Sequence, residues 1–321
     1  MSSGSSTAGT ARPSLAAMGA QHAAQPANAA EAQARYFNSA NAFNVKLPAV
    51  PAQAFTAQAA AALDAASPTG WWACDQSPAL GGGFPATTPL MLARYARIRA
   101  GETLAADFCA SGLIYRVIEG RGWSRSGGEE LRWAAGDVLF LAGGQPWLLG
   151  ADAGQDAVLW AVTDEPLYAL CRARPVPAAL PTVHYRADDI ARQLDAVHAA
   201  TPEAGNAGLA VVFSSAALEA GRNILPTLTL SLNSLPSGAD QAPHRHNSAA
   251  ITLVVRGEHC HTRIDGTPCA WQPWATLVTP PGAAHSHHNR GSTRAEFLIV
   301  QDGGLHYHAR TMGFAFLDQN A

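Results

Sequence analysis

Gln241-Ala242-Pro243-His244-Arg245-His246, answered further on by Pro280-Pro281-Gly282-Ala283-Ala284-His285-Ser286-His287-His288-Asn289, is the part of the chain that decides its fold. Residues i and i+2 of a β-strand point to the same face, so His244 and His246 can grip one ion. Gly282 tolerates backbone angles that other residues resist, which lets the Pro-x-Gly turn swing the chain back and aim His285 at the same point. Three neutral imidazoles on one side of a metal leave its other side open for water, oxygen or substrate. Nine of the twelve histidines fall between His244 and His308, so the chemistry is concentrated late in the chain.

Working outward, the 321 residues suffice for one large domain or two of ordinary size, and an apolar fraction of 48% fits a real core. A net charge of -3 gives no reason to expect nucleic acid as a partner. No apolar run approaches the roughly 18–20 residues of a spanning helix, so no membrane partner is expected. Residues 1–34, rich in Ala, Ser and Gly, lack a basic start followed by an apolar core and read as a flexible tail. Cys74, Cys109, Cys171, Cys260 and Cys269 form an odd set with no CxxC pair, which argues for a reducing compartment, the cytoplasm, and against a thiolate metal site.

The chain repeats itself. Gly101, five residues, Asp107-Phe108-Cys109 and then Val117-Ile118-Glu119-Gly120 match Gly238, five residues, His244-Arg245-His246 and then Val254-Val255-Arg256-Gly257, at an offset of 137. Trp147 matches His285, and Val162 to Leu167 match Val300 to Leu305, at an offset of 138. A repeat of this length is a duplicated domain rather than a solenoid unit. Each copy reads as short strands punctuated by Gly and Pro. Leu228, Leu230 and Leu232 alternate with polar residues, and Ala250–Val255 and Phe297–Val300 are strand-like. Asp188 or Asp189 is the expected cap of a helix between the copies, with Ile190, Leu194 and Val197 on one face. A second helix is expected over Ala57–Ala66.

These residues resemble the cupin family. Its first motif, Gly, five residues, His-x-His and a later Gly, is occupied by Gly238, His244, His246 and Gly257. Its second, Pro-x-Gly, two residues, His, three residues, Asn, is occupied by Pro280, Gly282, His285 and Asn289. The resemblance covers about residues 225–305 and, through the repeat, about 90–170. It implies an all-β chain of two double-stranded β-helix (jelly-roll) barrels, a bicupin, with a few helices at the N-terminus and between the barrels. The implied organisation is a disordered tail over 1–34 and a segment of helix and loops over 35–88. A degenerate, metal-free barrel over 89–170 follows, then a linker with a helix over 171–208. A metal-binding barrel over 209–314 and a tail over 315–321 complete it. The first motif's usual glutamate is absent, and Trp274 replaces the glycine that opens the second. An acid-free His-Arg-His triad resembles the gentisate and salicylate type of ring-cleaving dioxygenase. That group usually carries its iron in the N-terminal barrel, where this chain's aligned positions hold Asp107, Cys109 and Trp147.

The expected metal ligands are His244, His246 and His285, with Fe(II) the implied ion and Mn, Ni or Zn the alternatives. His287, two residues past a ligand, and His261 are candidate acid–base groups. His259 pairs with His261 at i, i+2 on a strand and is a candidate substrate contact, with exposed edge histidines the bland alternative. His306 and His308 repeat that spacing on what reads as a late strand, and His306 is taken as a cavity residue. Gln301 is a candidate hydrogen-bond donor into the barrel. Arg256 and Arg263 are candidate clamps for a substrate carboxylate, because guanidinium binds carboxylate bidentately. Arg245, between two ligands, must point away from the metal.

The function implied by resemblance is an iron dioxygenase cleaving a hydroxylated aromatic acid. Its partners would be a small aromatic or carboxylate substrate and O2, in a homodimer or homotetramer. The alternatives are another metal-cupin enzyme, isomerase, lyase or oxygenase, and a non-catalytic small-ligand-binding barrel.

Overall fold

A computed structural model describes residue 12 and residues 14–43, 46–177, 179–201 and 208–317. The chain divides into two compact units, Met1–Pro48 and Ala49–Ala321. Half of the first expected tail has local structure. A two-residue pairing of Gln21–His22 with Arg35–Tyr36 encloses the helical turn Ala29–Ala32, which Asn28 caps by accepting from Glu31 N–H at 2.9 Å. Residues 1–11 and 13 of that tail, and 318–321 of the C-terminal one, lie outside the described residues.

The second unit holds both barrels. The first pairs a six-stranded antiparallel sheet with a four-stranded one. The larger contains Leu92–Ile98, Gly112–Glu119, Val138–Ala142 and Ala157–Thr163; the smaller contains Thr103–Ala106, Arg121–Ser126, Glu129–Ala134 and Trp147–Ala151. The second barrel repeats the plan. Its six-stranded sheet contains Leu209–Phe213, Thr229–Leu235, Ala250–Arg256, Thr276–Thr279 and Ala295–Gln301. Its five-stranded sheet contains His244–His246, Cys260–Ile264, Thr267–Ala270, His285–Asn289 and Phe314–Phe316. Both copies end in a short helix, Glu165–Cys171 and Gly303–Ala309.

The two large sheets pack face to face, and alternation explains their apolar runs. In Ala157–Thr163, Leu159 and Ala161 face into the first barrel, while Val158, Trp160 and Val162 join the core shared with the second barrel. In Ala295–Gln301, Phe297 and Ile299 face their own barrel and Leu298 and Val300 face the seam. Strands covered on both sides read as unbroken apolar stretches. Across the seam, Thr276 Oγ1 accepts from Trp160 Nε1 at 2.9 Å and lies 2.7 Å from Tyr95 Oη, all three side chains fully buried.

The segment ahead of the first barrel is a strap. Ala54–Phe55 pairs with the strand Thr276–Thr279 of the second barrel, and Gly70–Ala73 pairs with Leu92–Ile98 of the first. Between them the helix Ala57–Leu63 buries Ala59 and Ala62; it stops three residues short of the expected Ala66, where Asp64 accepts from Ala66 N–H. The inter-barrel helix runs Ala187–Ala199 with Arg186 at its N-cap, so Asp188 and Asp189 are not the cap but lie inside the first turn, where they favour the helix dipole; Ile190 and Leu194 are buried.

A pair of aspartates shows how deep the repeat runs. Asp164 accepts from Ser111 N–H and Asp302 from Ala249 N–H, both at 2.8 Å, 138 residues apart at each end. Each carboxyl ties the end of one sheet strand to the loop entering its neighbour. Burial pushes both acids up, Asp302 to about 7.

Candidate metal centre

His244 and His246 lie on one three-residue strand, with His244 directly opposite His285 on the antiparallel neighbour. The turn before His285 does what its glycine predicts. Gly282 takes φ +78 and donates its N–H to His246 O at 2.7 Å, which ties the third ligand's loop to the first two. Arg245, between them, is exposed.

The three rings meet inside the second barrel. Their nearest nitrogens all lie within 4.8 Å of one another, and all three residues are buried. An ion bonded at roughly 2.0–2.2 Å to three imidazoles needs them roughly 3–3.6 Å apart, inside that limit. The tautomers are set by the backbone. Each Nδ1 lies 2.9 Å from a carbonyl oxygen two residues away: Ala242 for His244, Ser248 for His246 and Ala283 for His285. A carbonyl can only accept, so each Nδ1 carries the proton and each Nε2 presents a lone pair. Burial holds all three imidazoles neutral and pushes His285 down to about 3. Neutral, buried and preset for Nε2 donation, these residues fit a divalent cation. Among the described residues this is the one group of three such side chains positioned to share an ion.

A cavity of about 210 Å³ opens beside them. Its walls are Ser231, Asn233, Thr252, Thr279, Gln301 and His287, with Ile299 from the same sheet face and Tyr307, Met312 and Phe314 at the rim. His287 is buried on the same strand face as His285; burial pushes its imidazole well below the ordinary range. Its Nδ1 lies 2.8 Å from Thr262 Oγ1, which accepts from Trp271 Nε1 at 2.8 Å. Gln301 reaches His246 Nε2 with its amide at 3.4 Å.

Several residues expected at the cavity are elsewhere. His259 is exposed in the turn before its strand, at φ +54, so it does not share a strand with His261. His261 is half-buried on the outer face and stacks on His288, rings 4.6 Å apart, because Thr262 takes the inward position. His306 and His308 lie on the helix Gly303–Ala309 rather than a strand, and His306 Nδ1 meets Asn247 Nδ2 at 3.1 Å. Arg256 is exposed and ion-paired with Glu296, and Arg263 is exposed on the outer barrel face. Among the described residues, no Lys, Arg, Asp or Glu lines the metal-side cavity. Ser231 and Asn233 were missed because polar residues alternating with leucines read as solvent-facing, whereas here the opposite strand face is covered and the polar face lines the cavity.

The first barrel differs at the equivalent place. Trp147 pairs with Ala106, as His285 pairs with His244. The register therefore puts Ala106, not Asp107, in the first ligand slot, and Phe108 two residues on; Asp107 is exposed. Trp147, Trp133, Tyr115 and Leu149 fill that barrel's interior, and Trp147 Nε1 donates to Ala142 O at 2.9 Å.

Comparison with known proteins agrees with this geometry. Residues 232–301 match the cupin domain family model. A gentisate 1,2-dioxygenase from Ralstonia sp is 32% identical over 102 residues, 32% of this chain and 26% of that protein. A 5-aminosalicylate 1,2-dioxygenase from Comamonas sp is 33% identical over 81 residues, 25% of this chain and 21% of that protein. The aligned segment thus spans about a quarter of either relative. Salicylate 1,2-dioxygenase from Pseudoaminobacter salicylatoxidans, solved with gentisate, superposes with a TM-score of 0.71 over 86% of this chain and 87% of that one, at 15% identity. The shared fold is a cupin fold, mostly β-sheet with a few helices.

Proposed function

We propose that this two-barrel cupin is a metal-dependent dioxygenase that cleaves the ring of a hydroxylated aromatic acid of the gentisate or salicylate type. The observation that carries the reading is the trio of Nε2 lone pairs, preset by three backbone carbonyls, at the wall of a cavity sized for one small ring. The aligned relatives are named for chemistry of this kind.

His244, His246 and His285 would hold the ion, and Fe(II) is the proposed metal. When bound, it would supply the redox-active centre at which ring and O2 meet. The rest falls to the chain. Thr262 Oγ1 already accepts from Trp271, so its own proton goes to His287 Nδ1, and the neutral imidazole presents Nε2–H as a donor to a substrate oxygen. The amides of Gln301 and Asn233 are the other donors for substrate oxygens, since Arg256 and Arg263 are outside the cavity. Tyr307, Met312 and Phe314 form an apolar rim that limits water. The first barrel, its ligand slots filled by apolar side chains, is assigned a structural role. A homodimer or homotetramer is the proposed assembly.

Anaerobic loading with Fe(II), followed by oxygen uptake with gentisate, salicylate and 5-aminosalicylate, tests the reading. Uptake matched by loss of the aromatic absorbance is expected with at least one of them. Full iron occupancy with no turnover across the panel would refute it.

A further inference from the structure

The duplication leaves the first barrel with a pocket of its own. It has a volume of about 340 Å³, within the roughly 300–1,000 Å³ of small-molecule sites. It is the topological twin of the mouth of the metal-side cavity. The helix Glu165–Cys171 borders it as Gly303–Ala309 borders the other. Arg94 stands opposite Ala161 in its sheet as Ser231 stands opposite Ile299. Cys109 contacts Ala173 O as Asn247 donates to Thr311 O, each pair displaced by 138. Arg174 takes the position of Met312, which lines the other rim.

The chemistry is reversed between the twins. Among the described residues no formally charged side chain lines the metal-side cavity; here Arg94, Arg172 and Arg174 all line one pocket. Glu165, the one acid, is committed to Arg94 at 2.5 Å, and Arg94 also lies over the Phe108 ring at 4.4 Å. Arg172 and Arg174, both exposed, form no ion pair among the described residues. They leave the pocket with uncompensated positive charge. Phe84, Leu92 and Tyr168 supply apolar wall beside it. A guanidinium fork matches a carboxylate bidentately, and the apolar wall matches a flat hydrocarbon body.

We infer that this pocket is a second small-molecule site, independent of the metal, that binds a compact monocarboxylate with an apolar body, of which benzoate is the simplest probe. Arg172 and Arg174 take the carboxylate, and the ring lies against Phe84, Leu92 and Tyr168.

Cys109, half-buried on the pocket wall, provides a local readout. Its alkylation by iodoacetamide is followed by peptide mass spectrometry on metal-stripped full-length protein, with exposed Cys171, outside the pocket lining, as internal control. Saturating benzoate is expected to slow labelling of Cys109 severalfold and leave Cys171 unchanged. Benzamide, the neutral isostere, is expected to protect neither. The double variant Arg172→Ala/Arg174→Ala should raise the benzoate concentration for half-protection about 10-fold, and Arg172→Lys/Arg174→Lys should recover part of it. Equal protection by benzamide, no protection by benzoate, or an unchanged half-protection concentration in the alanine variant would each overturn the inference. Because metal is absent throughout, none of these results bears on the ring-cleavage reading.

Discussion

Thr262 is the most informative single position to perturb. Its hydroxyl is the buried junction between His287 Nδ1 and Trp271 Nε1, each at 2.8 Å. Thr262→Val keeps the shape of the side chain and removes both partners at once. The Trp271 N–H is then left without an acceptor in a nearly sealed position, which costs about 1–3 kcal/mol. For a unit of this size that is a fall in melting temperature of about 2–4 °C per kcal/mol. The metal ligands anchor their Nδ1 protons on backbone carbonyls, so metal content should not change. His287 loses the partner that sets its ring, and turnover should drop by about 10–100-fold, the usual effect of removing an outer-shell partner. Urea unfolding, metal analysis and steady-state oxygen uptake on the same preparations separate the three effects. A variant with full metal and unaltered turnover would refute the argument that Thr262 orients a working His287, and one with unaltered stability would refute the count of its hydrogen bonds.

Three further outcomes follow from the geometry. His285→Ala should abolish metal-dependent stabilisation, which for the wild type is about 2.7 kcal/mol at a hundredfold excess over the dissociation constant, read by thermal shift with and without Fe(II) or Zn(II). Arg256→Ala and Arg263→Ala should leave KM within about twofold of wild type, since neither reaches the cavity; a large rise in KM for either would contradict that placement. Asp302 gives a pH signature: burial raises its folded pKa to about 7, well above an ordinary aspartate, so the native state holds a proton the unfolded chain releases. Wild-type stability should therefore decline as pH rises from about 4 to 7 and stay flat above. Asp302→Asn keeps the acceptor for Ala249 N–H and removes that decline, leaving the two proteins alike near pH 4 and the variant ahead by on the order of 2–4 kcal/mol at pH 8, measured by urea unfolding.

That three histidines would cluster was legible because two independent constraints, strand alternation and a Pro-x-Gly turn, are written in short runs of sequence. The duplication was legible too, but its register was not. An offset of 137 aligns Asp107 with His244, and only the cross-strand partner of Trp147 shows that Ala106 holds the slot. Likewise i, i+2 spacing at His306 and His308 suits a strand, yet they sit on a helix whose start is fixed by tertiary contacts of the Asp302 carboxyl. His261 and Thr262 differ by one residue in register, and the inward place went to the residue that can bond both His287 and Trp271. Nor did composition announce the strap: two-residue and four-residue strands such as Ala54–Phe55 and Gly70–Ala73 take their partners from far along the chain.

The shared seam between the large sheets makes the two halves inseparable. A fragment carrying only the half with the histidine trio would bring Leu230, Leu298 and Val300 into water, and with them the acceptor that Trp160 needs would be lost to the other fragment. The tryptophan-packed half thus works as a buttress: with no ligand trio of its own among the described residues, it supplies the dry backing for the sheet of its histidine-bearing sibling.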